Sequence, residues 1–381
     1  MKALITAPGN TAIVTDTDVP EPATNEILVQ IHSLGLNPID PLYTAHPAAP
    51  PGRVVGSDIA GTVKKIGEGV TSWRVGDRVA GFLQGATSAN YRPGGFAEFA
   101  ILEADLAIHI PDSVTFEQAA TVPLCSLTAA QALFIRLGID APFPNPLKRE
   151  EQLARPPNIL IYSASTSVGL LAIELARSSH TPAGLPYRIF ATANIKNHAK
   201  LLAAGVEAVF DYRSETWPED VSRASGGISY ALDCISEEDS TAKISQTFIK
   251  SGGIIAVVRK TAWHKDGVRD DVTPIYSAVW SGLGHEITYN GGSIPASPSW
   301  RAFTVEFFRF LSAGSTSNPS RFPIKPIPVR LMPGGLESIV QDAFVLLGVG
   351  KVINRSTDEE RRSEPWMKPV SGEKLVYHVY D

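Results

Sequence analysis

Chemistry-bearing residues are sparse in this chain, and their densest run is Ile161-Tyr162-Ser163-Ala164-Ser165-Thr166-Ser167-Val168-Gly169. It follows a short apolar segment and leads into a helical one. At this place in a dinucleotide-binding fold, a glycine-rich turn lets backbone N–H groups at a helix N-terminus approach a pyrophosphate. Only Gly169, near the position of close helix–strand packing, resembles the G-x-G-x-x-G template, while Ser163 and Ser165 occupy the first two glycine sites. Small hydroxyl residues still permit close approach and can donate to phosphate. The competing reading is a Ser-rich βα turn in some other α/β protein. The next apolar segment, 187–192, ends without the Asp or Glu that usually holds a ribose 2′-OH. It runs instead into Ala193-Asn194-Ile195-Lys196. A lysine among small polar residues fits a 2′-phosphate, which favours NADPH; the alternative for Lys196 is a solvated helix residue.

The elements that must position these residues follow two patterns. Through residue 110, short Val- and Ile-rich segments are broken by Gly, Pro and Asp, which predicts an antiparallel, barrel-like unit. Residues 115–137 allow a helix that Pro123 should kink or divide, with Gly138 just past its end. Residues 139–157 are Pro-rich and charged, and predict a surface excursion. Strands are then expected at 158–162, 187–192, 208–210, 228–234 and 253–258. Helices are expected at 168–178, through 201–204 to Gly205, and at 244–250. This alternation predicts a parallel sheet with helices on both faces. Beyond residue 286 come a helix (300–311), a Pro-rich extended segment (322–331), a helix (336–347) and a closing strand (374–379).

Composition bounds the function. The chain has 381 residues, with 34 Lys+Arg against 39 Asp+Glu, and a formal charge of −5. That balance leaves no electrostatic footprint for nucleic acid or an anionic membrane. With 44% hydrophobic and 19% charged residues it is neither wholly disordered nor fibrous, and its length suggests two domains. No run is expected to approach the ~20 apolar residues of a membrane helix. The first nine residues read as too short and too broken for a signal peptide. Two cysteines, Cys125 and Cys234, exclude a disulfide framework, a four-cysteine zinc site and an iron–sulfur cluster. A reducing, cytoplasmic location is the expectation.

Several segments carry a resemblance. They are Asn37-Pro38-Ile39-Asp40, Val55-Gly56-Ser57-Asp58-Ile59-Ala60-Gly61, Trp73-Arg74-Val75-Gly76-Asp77-Arg78-Val79, Gly94-Gly95-Phe96-Ala97-Glu98-Phe99 and Ala119-Ala120-Thr121-Val122-Pro123. In this order they resemble the zinc-independent medium-chain dehydrogenase/reductase superfamily, quinone reductase-like branch. The Pro-rich stretch after Gly138, the Ser-rich turn and the ending Ser371-Gly372-Glu373-Lys374-Leu375-Val376-Tyr377 are similar to one subgroup. That subgroup is the fungal trans-acting enoyl reductases of the lovastatin-pathway type, which work beside a polyketide synthase. The resemblance implies an α/β fold in two parts. A GroES-like β-barrel substrate domain takes residues 1–120 and 315–381, and a doubly wound, parallel-sheet Rossmann domain for NADPH takes 121–314, with the active site between them.

The superfamily's zinc-dependent branch binds its catalytic metal through Cys and His. Residues 37–40 and 56–58 offer neither, so metal-free hydride transfer is expected. The resemblance implies that Thr128 lines the nicotinamide pocket and Asn37 faces the reaction site. It implies phosphate contacts from Ser163, Ser165, Thr166, Ser167 and Val168, and 2′-phosphate contacts from Lys196 and Tyr212 beside Asn194. Asp233, Cys234 and Ile235 match the strand end beside the nicotinamide ribose. The subgroup carries a lysine two positions after Asp40, where this chain has Leu42, and Tyr43 is the candidate replacement donor. A second departure is the charged segment 352–369, expected to be a surface loop. The leading function is NADPH-dependent reduction of an enoyl polyketide thioester presented by the acyl carrier domain of a partner polyketide synthase. The alternatives are a stand-alone quinone or enone reductase and a non-catalytic NADPH-binding protein. A monomer, without nucleic acid or membrane partners, is expected.

Overall fold

Turn-forming residues cut the first 110 residues into seven strands. Strands β1 (Lys2–Ala7) and β2 (Thr11–Asp16) form a hairpin. They are followed by β3 (Glu26–Gly35), helix α1 (Ile39–Ala45), β4 (Asp58–Ile66), β5 (Arg78–Phe82), β6 (Phe99–Glu103) and β7 (Ala107–His109). The ten-residue β3 pairs antiparallel with both β4 and β6 and is almost wholly buried. The computed structural model describes all residues except 91, 149–155, 290–291, 315–317, 353–354, 356–362 and 381. Helix α2 (Phe116–Ala119) begins with a capping box, in which Thr115 and Gln118 satisfy each other's backbone N–H groups. As expected, Pro123 divides the helical stretch and opens α3 (Pro123–Ala130). A wider helical turn, Gln131–Arg136, then leads to Gly138 at φ +72°.

The alternating region builds a parallel sheet. Its strands are β8 (Asn158–Tyr162), β9 (Arg188–Thr192), β10 (Ala208–Phe210), β11 (Tyr230–Asp233), β12 (Gly253–Val257) and β13 (Val272–Tyr276). Their spatial order, β10-β9-β8-β11-β12-β13, is that of a doubly wound dinucleotide fold, with the switch point between β8 and β11. Helices α4 (Ser167–Arg177), α5 (His198–Ala203), α6 (Trp217–Ser225) and α7 (Ser240–Ser245) connect the strands. The core joins Leu160, Phe190, Ala231 and Ile255 to Trp217, Val221 and Ile244 from the helices. Helix α7 stops short of the predicted 244–250. Thr247 turns its hydroxyl back onto the Ile244 carbonyl, and Phe248 leaves the helix to bridge Ile228.

After β13 the chain returns through the hairpin β14 (Ile287–Tyr289) and β15 (Gly292–Ile294), helix α8 (Pro298–Ser312), β16 (Val329–Leu331) and β17 (Lys374–His378). The last two join the first sheet in the order β16-β17-β3-β4-β5-β7, placing the C-terminal strand beside β3. Two compact units result, Met1–Leu124 with Trp280–Asp381, and Cys125–Val279. Residues 280–314, expected with the Rossmann part, group with the first unit. Arg301 on α8 explains the attachment, since it pairs with Glu103 at 2.7 Å and Asp105 at 2.6 Å.

Two expectations need correction, and a third gains detail. The described part of 139–157 is not a simple excursion: Ile139 is buried, and Phe143 packs edge-on to Phe134 at 5.4 Å; residues 149–155 lie outside the described residues. Of the segment 352–369, residues 353–354 and 356–362 lie outside them too; at its described end Ser363, Pro365, Lys368 and Pro369 are exposed, as expected of a surface loop, and the loop is also anchored. Met367 is buried, and Arg330 donates to the carbonyls of Trp366, Lys368 and Pro369 and pairs with Glu373. Finally, Phe116–Arg136 is long and apolar enough to cross a membrane, contrary to the expectation of no such run; 83% of its most apolar window is buried inside the protein, as in a core helix.

Candidate active site

In the second unit, the β8–α4 turn is shaped for an anion. Ser163 takes φ +57°, the left-handed conformation that the template's first glycine would adopt. Its N–H donates to Thr192 Oγ1 at 2.9 Å, and the Ala164 N–H to the Thr192 carbonyl at 2.9 Å, so the end of β9 holds the turn. Thr166 caps α4, accepting from the Gly169 N–H at 3.1 Å. A Cβ on Gly169 would lie 2.7 Å from the Ala164 backbone, so that position requires glycine for helix and turn to pack. Ser165, Thr166, Ser167 and Val168 are half-buried and open the first turn of an eleven-residue helix to one side. The positive end of its dipole lies there. These residues fit a dinucleotide pyrophosphate.

The neighbouring strand ends complete this half. Asn194 accepts from the Lys196 N–H at 3.1 Å and starts a short 3₁₀ turn on which Lys196 is exposed. Tyr212 lies edge-on to Tyr162 at 6.5 Å, and the exposed Arg213 stacks over its ring at 5.3 Å. Beyond β11, Cys234 is buried against Thr166, and burial pushes its thiol far above the ordinary range. The Ile235 N–H donates to Asp233 Oδ1 at 3.0 Å. Asp233 is wholly buried and organises this loop. It also accepts from the Ser236 N–H (2.7 Å), Ser240 Oγ (2.6 Å) and Thr241 Oγ1 (3.1 Å). Burial raises its carboxyl despite these bonds. On α3, Thr128 is half-buried while the other seven residues of the helix are buried.

The first unit holds the other sequence-predicted residues. Asn37 is 1% exposed, and its Nδ2 donates to Asp58 Oδ2 at 2.9 Å. Its backbone N–H donates to Asp40 Oδ2 at 2.7 Å, and Ser57 Oγ donates to Asp40 Oδ1 at 3.2 Å. Asp58 is a hub. Its Oδ2 also accepts from Lys374 Nζ at 2.5 Å, and its Oδ1 from the Leu124 N–H at 2.7 Å. Proline at the start of α3 has no N–H, so Leu124 carries the first donor of that helix, and Asp58 satisfies it. Burial raises Asp40 to about 7, with the Asp58 charge adding to the effect. Tyr43 is buried on α1, its ring edge-on to Trp280 at 6.2 Å.

Asp58, Lys374 and Arg213 were not among the candidate site residues. The first two stood in quoted motifs, yet nothing local links positions so far apart. Among the described residues no three His, Cys, Asp or Glu side chains converge as metal ligands.

Residues 23–112 match the alcohol dehydrogenase GroES-like domain. The chain is 30% identical over 361 residues to the trans-enoyl reductase grgB of Penicillium sp, covering 92% of this chain and 95% of that protein. It is 31% identical over 379 residues to the trans-enoyl reductase poxP of Penicillium oxalicum, covering 97% and 90%. Its fold matches an alcohol dehydrogenase superfamily protein from Novosphingobium aromaticivorans with a TM-score of 0.73, at 22% identity and 99% coverage of both chains. A GroES-like unit joined to a doubly wound sheet with a Ser-rich βα turn defines a nicotinamide-dependent oxidoreductase of the medium-chain dehydrogenase/reductase class. Within that class, the chain belongs to the trans-enoyl reductase family.

Proposed function

We propose that this protein is an NADPH-dependent, trans-acting enoyl reductase. Its substrate is an α,β-unsaturated polyketide thioester presented by the acyl carrier domain of a partner polyketide synthase. The observation that carries this reading is the likeness to trans-enoyl reductases along nearly the whole chain. The choice of NADPH is supported by the end of β9, where no carboxylate would repel a 2′-phosphate and Lys196 offers a cation. Arg213, stacked on Tyr212, supplies a second cation after the next strand.

NADPH, when bound, supplies the hydride for the β-carbon of the enoyl group. The N–H groups of Ser165, Ser167 and Val168 would hold the pyrophosphate, while Thr166 spends its own N–H on the Ser163 carbonyl at 3.0 Å and borders the site with its side chain; Asn194, Lys196 and Tyr212 would hold the 2′-phosphate. Cys234 and Ile235 border the nicotinamide ribose, and Thr128 limits where the ring can lie. Asn37 faces the thioester carbonyl, its amide turned by Asp58 and Lys374 so that it does not rotate. A buried, preorganised group of this kind costs no reorganisation as charge develops on the carbonyl oxygen. Tyr43 stands in for the lysine replaced by Leu42 as donor to the α-carbon. The Leu42 position also favours a second reading, a non-catalytic NADPH-binding protein.

Stopped-flow loss of NADPH absorbance on mixing with an enoyl thioester separates the two readings. Oxidation of NADPH, faster when the thioester is carried on an acyl carrier domain than when free, is expected. Tight NADPH binding without oxidation by either thioester would overturn the enzyme reading. Equal rates on the two forms would favour a stand-alone enone reductase.

A further inference from the structure

A guanidinium lies inside the second unit with no carboxylate among the described residues paired to it. Arg136 closes the Gln131–Arg136 turn and is 3% exposed. Its Nη1 donates to the Val257 carbonyl at 2.6 Å and the Ile275 carbonyl at 3.4 Å. Its Nε is buried without a hydrogen-bond partner, and among the described residues no Asp or Glu pairs with it. Burial lowers the group to about 10, so it keeps its charge at neutral pH. Two carbonyl oxygens on one nitrogen offset only part of what it costs to bury this ion.

Its position gives the charge a use. Val257 ends β12, Ile275 is in β13, and Cys234, which follows β11, lies close enough to feel the charge. In a doubly wound sheet the ligand crosses the carboxyl ends of the strands. The pyrophosphate belongs at the turn after β8, and the adenosine 2′-phosphate at the residues following β9 and β10. The other half of the dinucleotide is therefore left with β11, β12 and β13, where Arg136 lies. The one amide of that half is the nicotinamide carboxamide.

We propose that Arg136 recognises the nicotinamide end of the cofactor, donating to the carboxamide oxygen of the reduced form and disfavouring the oxidised form. The inference rests on the NADPH reading above and extends it to a residue that reading does not use. Dihydronicotinamide is uncharged, and its ring nitrogen pushes electron density onto the carboxamide oxygen, which suits a cationic donor. The oxidised ring carries a positive charge, which a fixed guanidinium in a low-dielectric site repels. The same side chain would thus tighten NADPH and loosen NADP⁺.

Calorimetric titration of the full chain tests this with three ligands: NADPH, NADP⁺ and 2′-phospho-ADP-ribose, which lacks the nicotinamide. The wild type is expected to bind NADPH more tightly than NADP⁺. Arg136→Met should lose roughly tenfold or more of that preference, with its affinity for 2′-phospho-ADP-ribose unchanged. Arg136→Lys, which keeps the charge, should retain most of it. If Arg136→Met does not fold, Arg136→Gln replaces it in the same comparison. An unchanged NADPH-to-NADP⁺ ratio in the uncharged variant overturns the proposal. So does an equal loss of all three ligands, which would make Arg136 a support of the fold. A wild type that binds 2′-phospho-ADP-ribose and neither dinucleotide overturns it as well. A wild type that binds none of the three overturns the cofactor reading beneath it.

Discussion

Burial raises the Asp40 carboxyl from 3.8 to about 7, so the folded protein holds that proton more tightly than the unfolded chain does. Its contribution to stability is complete below the unfolded pKa and is lost as pH rises through about 7. Urea denaturation between pH 4 and pH 8 should show a fall on the order of a few kcal/mol from this group. In Asp40→Asn that part of the slope should vanish; a wild-type slope in the variant would place the proton elsewhere. Lys196 makes a smaller claim because it is exposed and screened by solvent. Lys196→Ala should weaken NADPH roughly tenfold and leave NADH nearly unchanged. Equal weakening of both would assign the lysine to the fold, and no effect would leave it a solvated helix residue. The missing carboxylate after β9 was visible in the sequence because it is a local pattern. Arg213 was not, since only the stacking on Tyr212 shows where its charge lies.

At the scale of elements, the Asp58–Lys374 pair joins β4 to β17 across 316 positions and is almost fully buried, at 0% and 2% exposed. Removing one partner leaves an uncompensated charge, so Lys374→Met should cost about 3–5 kcal/mol. The double variant Asp58→Asn/Lys374→Met should cost clearly less than the sum of the two single changes. Additive losses in urea denaturation would mean that the two side chains do not act as a pair. No pattern in either motif announces this contact, because a hydrogen bond between distant strands leaves no period in the chain. What the sequence did show were features with a period or a breaker: the β8–α4 turn, the division of the helix at Pro123, and five of the six parallel strands, all but β13, nearly to the residue. Helix α7 ended early because hydroxyl-to-backbone bonds at Ser245 and Thr247 competed with the helix, an effect that apolar spacing does not register.

For the whole molecule, the exposed edge of the parallel sheet bears on assembly. Strand β13 carries Pro274 at the position paired with Ile255, and proline has no N–H to offer a neighbouring strand. A monomer is therefore expected, and light scattering at twice the mass of one chain would overturn it. The order of the segments has a further consequence for how the protein is made. The second unit is continuous, whereas the sheet of the first unit places β17 beside β3 and cannot be completed until the last residues are synthesised. On the ribosome the parallel sheet can close around its own core while Ser33, Leu34 and Gly35 of β3 still lack the partner that β17 supplies, β6 having already paired with residues 26–30. At about 5–20 residues per second, roughly a hundred residues remain to be added, a delay on the order of 5–20 s. Throughout that delay the buried end of β3 is open to any other chain nearby, so a hazard in this protein's synthesis comes late, after most of the molecule has already folded.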